Sequence, residues 1–266
     1  MKDCINKRMI DFTIHAYKKY LEAIKLNYAN VLRFDDFFKL KQNLSSYCLI
    51  RHDVDRNPLN ALKMATIENE SNIRSTYYFR FKKNTFKPEL IKQISNLGHE
   101  VGYHYENLSD FNGDYVKALE NFKLNLFEFR KITPVNTISM HGKALSKHDN
   151  RDLWNTDPNK LILKNELDIL GEVYLDIDYS DMLYITDTGR NWTHDVSNVR
   201  DKVTSNIRKS FENGKQLLGY LQNKPHSKLC FQIHPERWNG TALSFAYSYT
   251  LDNTVNIAKK VIKSIK

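Results

Sequence analysis

The sequence predicts an α/β fold built on a parallel sheet. Between residues 47 and 141, four strand-like segments alternate with three helical ones, the pattern of βαβ units. The first strand, Tyr47-Cys48-Leu49-Ile50, is apolar on both faces, as in a strand covered by helices on both sides. Only 9 Gly and 6 Pro occur in the 266 residues, which leaves little material for linkers. We therefore expect one domain over residues 1–266, either a barrel or an open doubly wound sheet, with residues 1–45 as a helical N-terminal extension.

The individual elements follow from hydrophobic periodicity and from the residues that begin and end helices. Apolar residues recur at helical spacing over residues 11–25. Pro58 suits the first position of a helix, and Gly98 is a common helix terminator. The predicted strands are 47–52, 75–80, 100–104, 135–141, 173–178, 183–186 and 228–233. The predicted helices are 11–25, 57–69, 87–97, 114–130, 203–221 and 254–265.

The composition excludes several classes of function. The net charge is +9, but the lysines are spread along the chain and no nucleic-acid-binding motif occurs, so nucleic acid is not an expected partner. No apolar run is long enough to span a membrane, and the N-terminus lacks the pattern of a signal peptide, so a cytoplasmic location is expected. The 3 cysteines are far apart and form neither a disulfide framework nor a metal-binding knuckle.

Histidine and aspartate side chains occur at the ends of four predicted strands. Asp53 and Asp55 follow the first strand, and His104, His141 and His234 end three later ones. The carboxyl ends of parallel strands share one edge of the sheet, where α/β enzymes have their active sites. Imidazole and carboxylate groups bind Zn²⁺ and similar ions, and a spare group of either kind can act as acid or base. The sequence therefore predicts a single divalent-metal hydrolase site.

The same segments resemble the motifs of a known family. Arg-His-Asp-Val-Asp at 51–55, followed by Gly-His-Glu-Val-Gly-Tyr-His at 98–104, resembles the NodB-like polysaccharide deacetylases (carbohydrate esterase family 4). Ser-Met-His-Gly at 139–142 and Ile-His-Pro at 233–235 are similar to the later motifs of that family. The resemblance extends from about residue 49 to residue 238. It implies a distorted (β/α)7-type barrel and metal-dependent removal of an acyl group from an amino sugar.

The resemblance also implies a role for each matched residue. Asp53 would be the general base, Asp55 and His104 would bind the metal, and His234 would be the general acid. The metal expected first is Zn²⁺, with Fe, Co or Mn as alternatives.

Two departures from the family pattern leave the ligand set open. Val54 separates two aspartates that are adjacent in the family, so either Asp53 or Asp55 could be the ligand. The position of the second metal-binding histidine of the family is occupied by Leu108, which cannot bind metal. His141 is the best substitute, and the alternative is that the metal has been lost.

Other polar residues have either a structural or a substrate-binding interpretation. His52 points away from Asp53, and His99 precedes its strand, so we expect both to be buried and hydrogen-bonded. Arg190 could bind a phosphate or carboxylate and Trp192 could stack on a sugar, although an ordinary capped turn explains their loop equally well. The predicted substrate-binding residues are Arg51, Glu106, Arg190, Trp192 and Arg237, although Arg51 could instead pair with a carboxylate in the barrel interior.

Three functions remain open from the sequence. The first is a hydrolase that removes an acyl group from an N-acylated amino sugar or sugar nucleotide in surface-polysaccharide biosynthesis. The second is a hydrolase of another non-peptide C–N bond on the same scaffold. The third is a metal-free binding protein, which Leu108 keeps possible. The expected partner is a small-molecule or sugar-nucleotide substrate, and the sequence predicts no oligomeric state.

Overall fold

The structure is a computed structural model that describes residues 11–40, 44–143, 146–193, 202–223 and 225–241, together with 243, 245–246, 248–250 and 254. Within these residues, no helix combines the length and the apolar character needed to cross a membrane.

The described strands form one sheet in which every pairing is parallel. The strands are β1 (Val31–Leu32), β2 (Tyr47–Val54), β3 (Thr76–Phe79), β4 (Glu100–Tyr105), β5 (Thr137–Met140), β6 (Gly171–Glu172), β7 (Leu183–Thr186) and β8 (Lys228–Ile233). Their order in the sheet is β6-β5-β4-β3-β2-β8-β7. The short strand β1 pairs with the first half of β2, along the same edge of β2 whose second half pairs with β3. The sheet curls into a distorted (β/α) barrel, which confirms the predicted α/β class.

Helices cover the outside of this barrel. Thr13 caps α1 by accepting a hydrogen bond from the amide of Ala16 at 3.2 Å, and Pro58 begins α3 as predicted. Gly98 follows α4 with a φ of +89°, the left-handed conformation that ends many helices. The helices are α1 (Ile14–Asn27), α2 (Phe34–Lys39), α3 (Pro58–Glu70), α4 (Pro88–Asn96), α5 (Asn107–Asp110), α6 (Tyr115–Arg130), α7 (Asp157–Leu161) and α8 (Gly214–Gln222).

Three predicted elements differ from the structure or lie outside it. Residues 173–178 form a turn, because the carboxylate of Glu172 accepts hydrogen bonds from the amides of Tyr174 and Leu175 at 2.7 and 2.9 Å. Residues 203–213 are irregular, and helix α8 begins only after Asn213, whose side chain accepts from the amide of Gln216. The predicted helix 254–265 lies outside the described residues apart from residue 254.

Successive side chains along each strand point alternately to the outside and to the inside of the barrel, and the outer face is apolar whereas the inner face is more polar. In β2, Cys48 and Ile50 belong to the outer cluster beneath α1, whereas Tyr47 and Leu49 face the barrel interior. The same parity places the later odd-numbered residues of β2 inside. Position 102 of β4 has room only for glycine, because a Cβ there would lie 2.3 Å from the ring of Tyr78.

Candidate active site

Three of the predicted ligands meet at the carboxyl edge of the sheet. Oδ1 of Asp55 lies 3.1 Å from Nδ1 of His141 and 3.4 Å from Nε2 of His104, and the two ring nitrogens are 3.3 Å apart. In a tetrahedral zinc site with bonds of about 2.0 Å, neighbouring ligand atoms are separated by about 3.3 Å. The three atoms therefore form a triangle of the size that one Zn²⁺ requires.

The surroundings of the triangle prepare its atoms for a metal. Nδ1 of His104 lies 3.0 Å from the carbonyl oxygen of Ser139; because a carbonyl only accepts, Nδ1 donates, and Nε2 is the atom that would bind a metal. Burial opposes ionisation of Asp55, but the positive charges of His141 and His104 hold the pKa of Asp55 well below its usual value. The side chains of Asp55 and His141 are 19% and 15% exposed, but Oδ1 of Asp55 is itself enclosed and has no hydrogen-bond partner among the described residues, as suits an atom that a metal would occupy.

Asp53 lies beside the triangle, but other side chains hold it. Its Oδ1 accepts from Nε of Arg51 at 2.7 Å, and its Oδ2 accepts from Nη2 of Arg51 at 2.8 Å and from Gln232 at 2.6 Å. Nε2 of His104 is 3.7 Å from Oδ2 of Asp53. Burial opposes ionisation here too, yet the charges of Arg51 and His104 lower the pKa of Asp53. Asp53 is therefore an ionised carboxylate, fixed in orientation next to the candidate ligands.

His234 is oriented by a buried carboxylate, Asp187. Nδ1 of His234 lies 2.6 Å from Oδ1 of Asp187, and Oδ2 of Asp187 accepts from the backbone amide of His234 at 3.0 Å and from the indole of Trp238 at 2.8 Å. Burial and the charge of Arg237 lower the pKa of His234, but Asp187 outweighs them and raises it to about 9. Asp187 has a pKa of about 2, because Arg237 and His234 overcome the effect of burial. His234 is thus a protonated imidazole at neutral pH.

The five predicted substrate-binding residues have other partners in the structure. Arg51 is fully buried against Asp53, and Arg237 donates to Asp187 at 2.8 Å. Glu106 pairs with Arg80 at 2.7 Å and with Lys82 at 3.4 Å. Arg51 thus has the partner expected from its structural interpretation, a carboxylate in the barrel interior. Contact of these side chains with a substrate stays a prediction.

The loop after β7 packs against the core. Trp192 is 3% exposed and stacks on Phe12 at 5.2 Å and on Phe231 at 5.9 Å, so its faces are occupied by core rings instead of a sugar. The guanidinium of Arg190 lies over the rings of Phe12 and Phe245 and donates to Ser248. Both residues therefore join this loop to the N- and C-terminal segments of the described chain.

The two histidines expected to be structural are confirmed as such. Nε2 of His52 lies 2.7 Å from Oε1 of Glu68, on the outer face of β2. His99 accepts from the backbone amide of Ser75 at 3.1 Å and contacts the carbonyl of Ala65 at 2.9 Å. The fully buried Glu68 also accepts from the hydroxyls of Tyr17, Ser75 and Tyr77. We call Glu68, His52, Tyr17, Ser75 and Tyr77 the Glu68 cluster.

Leu108 is 1% exposed and belongs to the apolar cluster that also contains Tyr105, Phe122 and Trp154. Its position on α5 is therefore part of the core, and His141 of the neighbouring strand end supplies the third atom of the triangle.

Sequence reasoning missed three residues at this edge. Asp187 holds His234, Gln232 holds Asp53, and Glu236 lies buried after β8. A signal for Gln232 was present, because a residue two positions before His234 points to the same side of the strand. Asp187 directly follows β7, a strand end of the same kind as the others.

No family model and no curated protein matches this sequence. Among solved structures, the chain is similar to a CE4 family pseudoenzyme from Bacillus anthracis, with a TM-score of 0.45 and 12% identity over 82% of this chain and 63% of that chain. A mutant of that pseudoenzyme with restored enzymatic activity gives a TM-score of 0.46 and 12% identity over 82% of this chain and 65% of that one. The chain thus spans less than two thirds of the length of either structure.

Proposed function

We propose that this protein is a metal-dependent hydrolase that removes an acyl group from an N-acylated amino sugar or sugar nucleotide in surface-polysaccharide biosynthesis. The observation that carries the proposal is the triangle of Asp55, His104 and His141, whose edges of 3.1, 3.3 and 3.4 Å match those of a zinc site. The motifs that resemble the deacetylase family support the choice of substrate. They fall at the strand ends that supply these residues.

Each catalytic residue has one task in this proposal. A divalent ion held by Asp55, His104 and His141 would polarise the amide carbonyl and activate water. Asp53 accepts the proton of the attacking water, and Arg51 and Gln232 fix the direction of its lone pairs. His234 donates a proton to the departing amine nitrogen through Nε2, because Asp187 holds its Nδ1.

Replacement of His141 tests the ligand set directly. We expect purified wild-type protein, reloaded with Zn²⁺, to hold about one ion per chain, and His141→Ala to bind zinc at least about tenfold more weakly. The measurement is zinc stoichiometry and affinity by elemental analysis and calorimetric titration.

The matched control is His226→Ala. His226 precedes β8 at the opposite edge of the sheet and contacts Asp181, so its loss should leave zinc binding unchanged. Full zinc content in His141→Ala would remove His141 from the ligand set. A wild-type protein that binds no zinc, iron, cobalt or manganese would favour the metal-free binding protein.

The raised pKa of His234 predicts an alkaline limit on activity. A general acid must be protonated, so activity should fall as the pH rises through about 9. Asp187→Asn removes the charge that raises the pKa of His234, while burial and Arg237 continue to lower it. The alkaline limb of the kcat profile should therefore move to a lower pH in this variant, with activity at pH 8 reduced by more than about tenfold. If the alkaline limb of the kcat profile lies at the same pH in Asp187→Asn and in the wild type, a group other than His234 is the general acid.

A further inference from the structure

Glu236 is a buried carboxylate at the candidate site that the proposed mechanism does not use. It lies in the short helical turn Pro235–Arg237 after β8, two residues beyond His234, and is 6% exposed. Its Oε1 faces Nε of Arg56 at 3.7 Å, longer than a hydrogen bond. Its Oε2 is enclosed and has no hydrogen-bond partner among the residues that the structure describes. A buried acceptor of this kind is unfavourable unless a ligand supplies the donor.

Glu236 lies near both the candidate metal ligands and the candidate general acid. Arg56 directly follows Asp55, and β2 and β8 are hydrogen-bonded neighbours, with His52 opposite Ile233. Glu236 therefore stands at the edge between Asp55, a candidate metal ligand, and His234, the candidate acid.

In the proposed mechanism, the two sides of the site would meet different parts of the substrate. The metal ligands would face the carbonyl of the scissile amide, whereas His234 would face the departing nitrogen and hence the sugar that carries it. A short acyl chain has no hydrogen-bond donor, but a sugar ring has several hydroxyl groups. Glu236 follows His234 by two residues, so a hydroxyl near the amide is the donor that would suit its enclosed oxygen.

We propose that Glu236 is a specificity-determining residue whose Oε2 accepts a hydrogen bond from a hydroxyl of the acylated sugar. The proposal rests on the proposed function, and it adds the requirement for a hydroxylated leaving group. Sites that hydrogen-bond a substrate hydroxyl discriminate strongly against analogues that lack it, because the buried acceptor is then left unpaired.

The test compares two ligands that share the amide and differ in the hydroxyl groups. N-acetylglucosamine and acetamide are titrated by NMR into the zinc-loaded full chain of the wild type, Glu236→Leu and Glu236→Gln. We expect Glu236→Leu to weaken N-acetylglucosamine binding about tenfold and to leave acetamide binding unchanged, since leucine cannot accept a hydrogen bond. Glu236→Gln should lose less than about threefold, because its side-chain carbonyl still accepts.

The exposed Glu89 on α4 supplies the control for loss of charge alone, and Glu89→Gln should bind both ligands as the wild type does. Glu236→Leu removes an unpaired buried oxygen, so its thermal midpoint should equal or exceed that of the wild type. Equal binding of N-acetylglucosamine by Glu236→Leu and wild type would overturn the inference, as would a wild type that prefers neither ligand. Failure of the proposed function is distinguished by zinc stoichiometry and acetate release, both measured on the same wild-type sample.

Discussion

Replacement of Asp53 by asparagine is expected to lower kcat by about 10³-fold while the protein stays folded and retains its metal. The amide of asparagine has nearly the shape of the carboxylate, but it cannot take up the proton of the attacking water, a contribution of about 10²–10⁴ in rate. The measurement is kcat for release of acetate from the zinc-loaded variant with the acylated sugar that the wild type hydrolyses.

Asp55→Asn is the matched comparison for this variant. Asp53 lies at the end of β2 and Asp55 directly follows that strand, but of the two only Asp55 belongs to the triangle of candidate ligands. Asp55→Asn should therefore lose zinc affinity, whereas Asp53→Asn should keep it. The opposite pattern would assign the metal to Asp53 and the base to Asp55. Since Asp53→Asn leaves the buried Arg51 without its counter-charge, urea unfolding of both variants checks that the loss of rate is not a loss of fold.

Glu68→Gln is expected to destabilise the protein strongly, with a loss of about 3 kcal/mol in the free energy of unfolding. Glu68 is fully buried, and the charge of His52, aided by hydrogen bonding, lowers its pKa to about 2 despite the opposing effect of burial. Relative to the ordinary value of 4.5, this shift corresponds to about 3 kcal/mol at 1.36 kcal/mol per pKa unit. A glutamine also turns an NH₂ group toward hydroxyl donors that now face a carboxylate oxygen.

The direction of the pH dependence provides a second check on the Glu68 cluster. The folded pKa of Glu68 lies below the unfolded one, so its stabilisation is present above pH 4.5 and is lost as the pH falls toward 2. The difference in stability between wild type and Glu68→Gln should therefore shrink below pH 4.5. Glu70→Gln, at an exposed position at the end of the same helix, should change stability by less than about 0.5 kcal/mol. A constant difference down to pH 2.5 would contradict the assignment of an ionised Glu68.

The strands that carry the site were predictable because their hydrophobic patterns are strong. The predicted strand 228–233 and the observed β8 agree in both bounds, and Asp55, His104 and His141 do meet at one sheet edge. The predicted strand 173–178 failed because Glu172 binds two amides that a strand would have paired with a neighbour. Strand propensity carries no information about a carboxylate that folds the following segment into a turn.

The parts of the site that were missed depend on contacts between distant segments. Arg51 had two interpretations, and Asp53, two residues away on the same side of β2, selects the carboxylate pair. Trp192 likewise could face a sugar or belong to an ordinary turn, and Phe12, just before the N-terminal helix, stacks on its ring. Both outcomes follow from which groups lie nearest in three dimensions. Neither is encoded in the local sequence pattern.

The burial of Leu108 limits how the third candidate ligand could be exchanged. A histidine introduced at that position would point into the aromatic core beside Tyr105, Phe122 and Trp154, so one substitution does not supply a ligand from α5. Loss of His141 therefore could not be rescued from that helix. Under the proposed function, the choice of ligand and the packing of the core are mutually dependent.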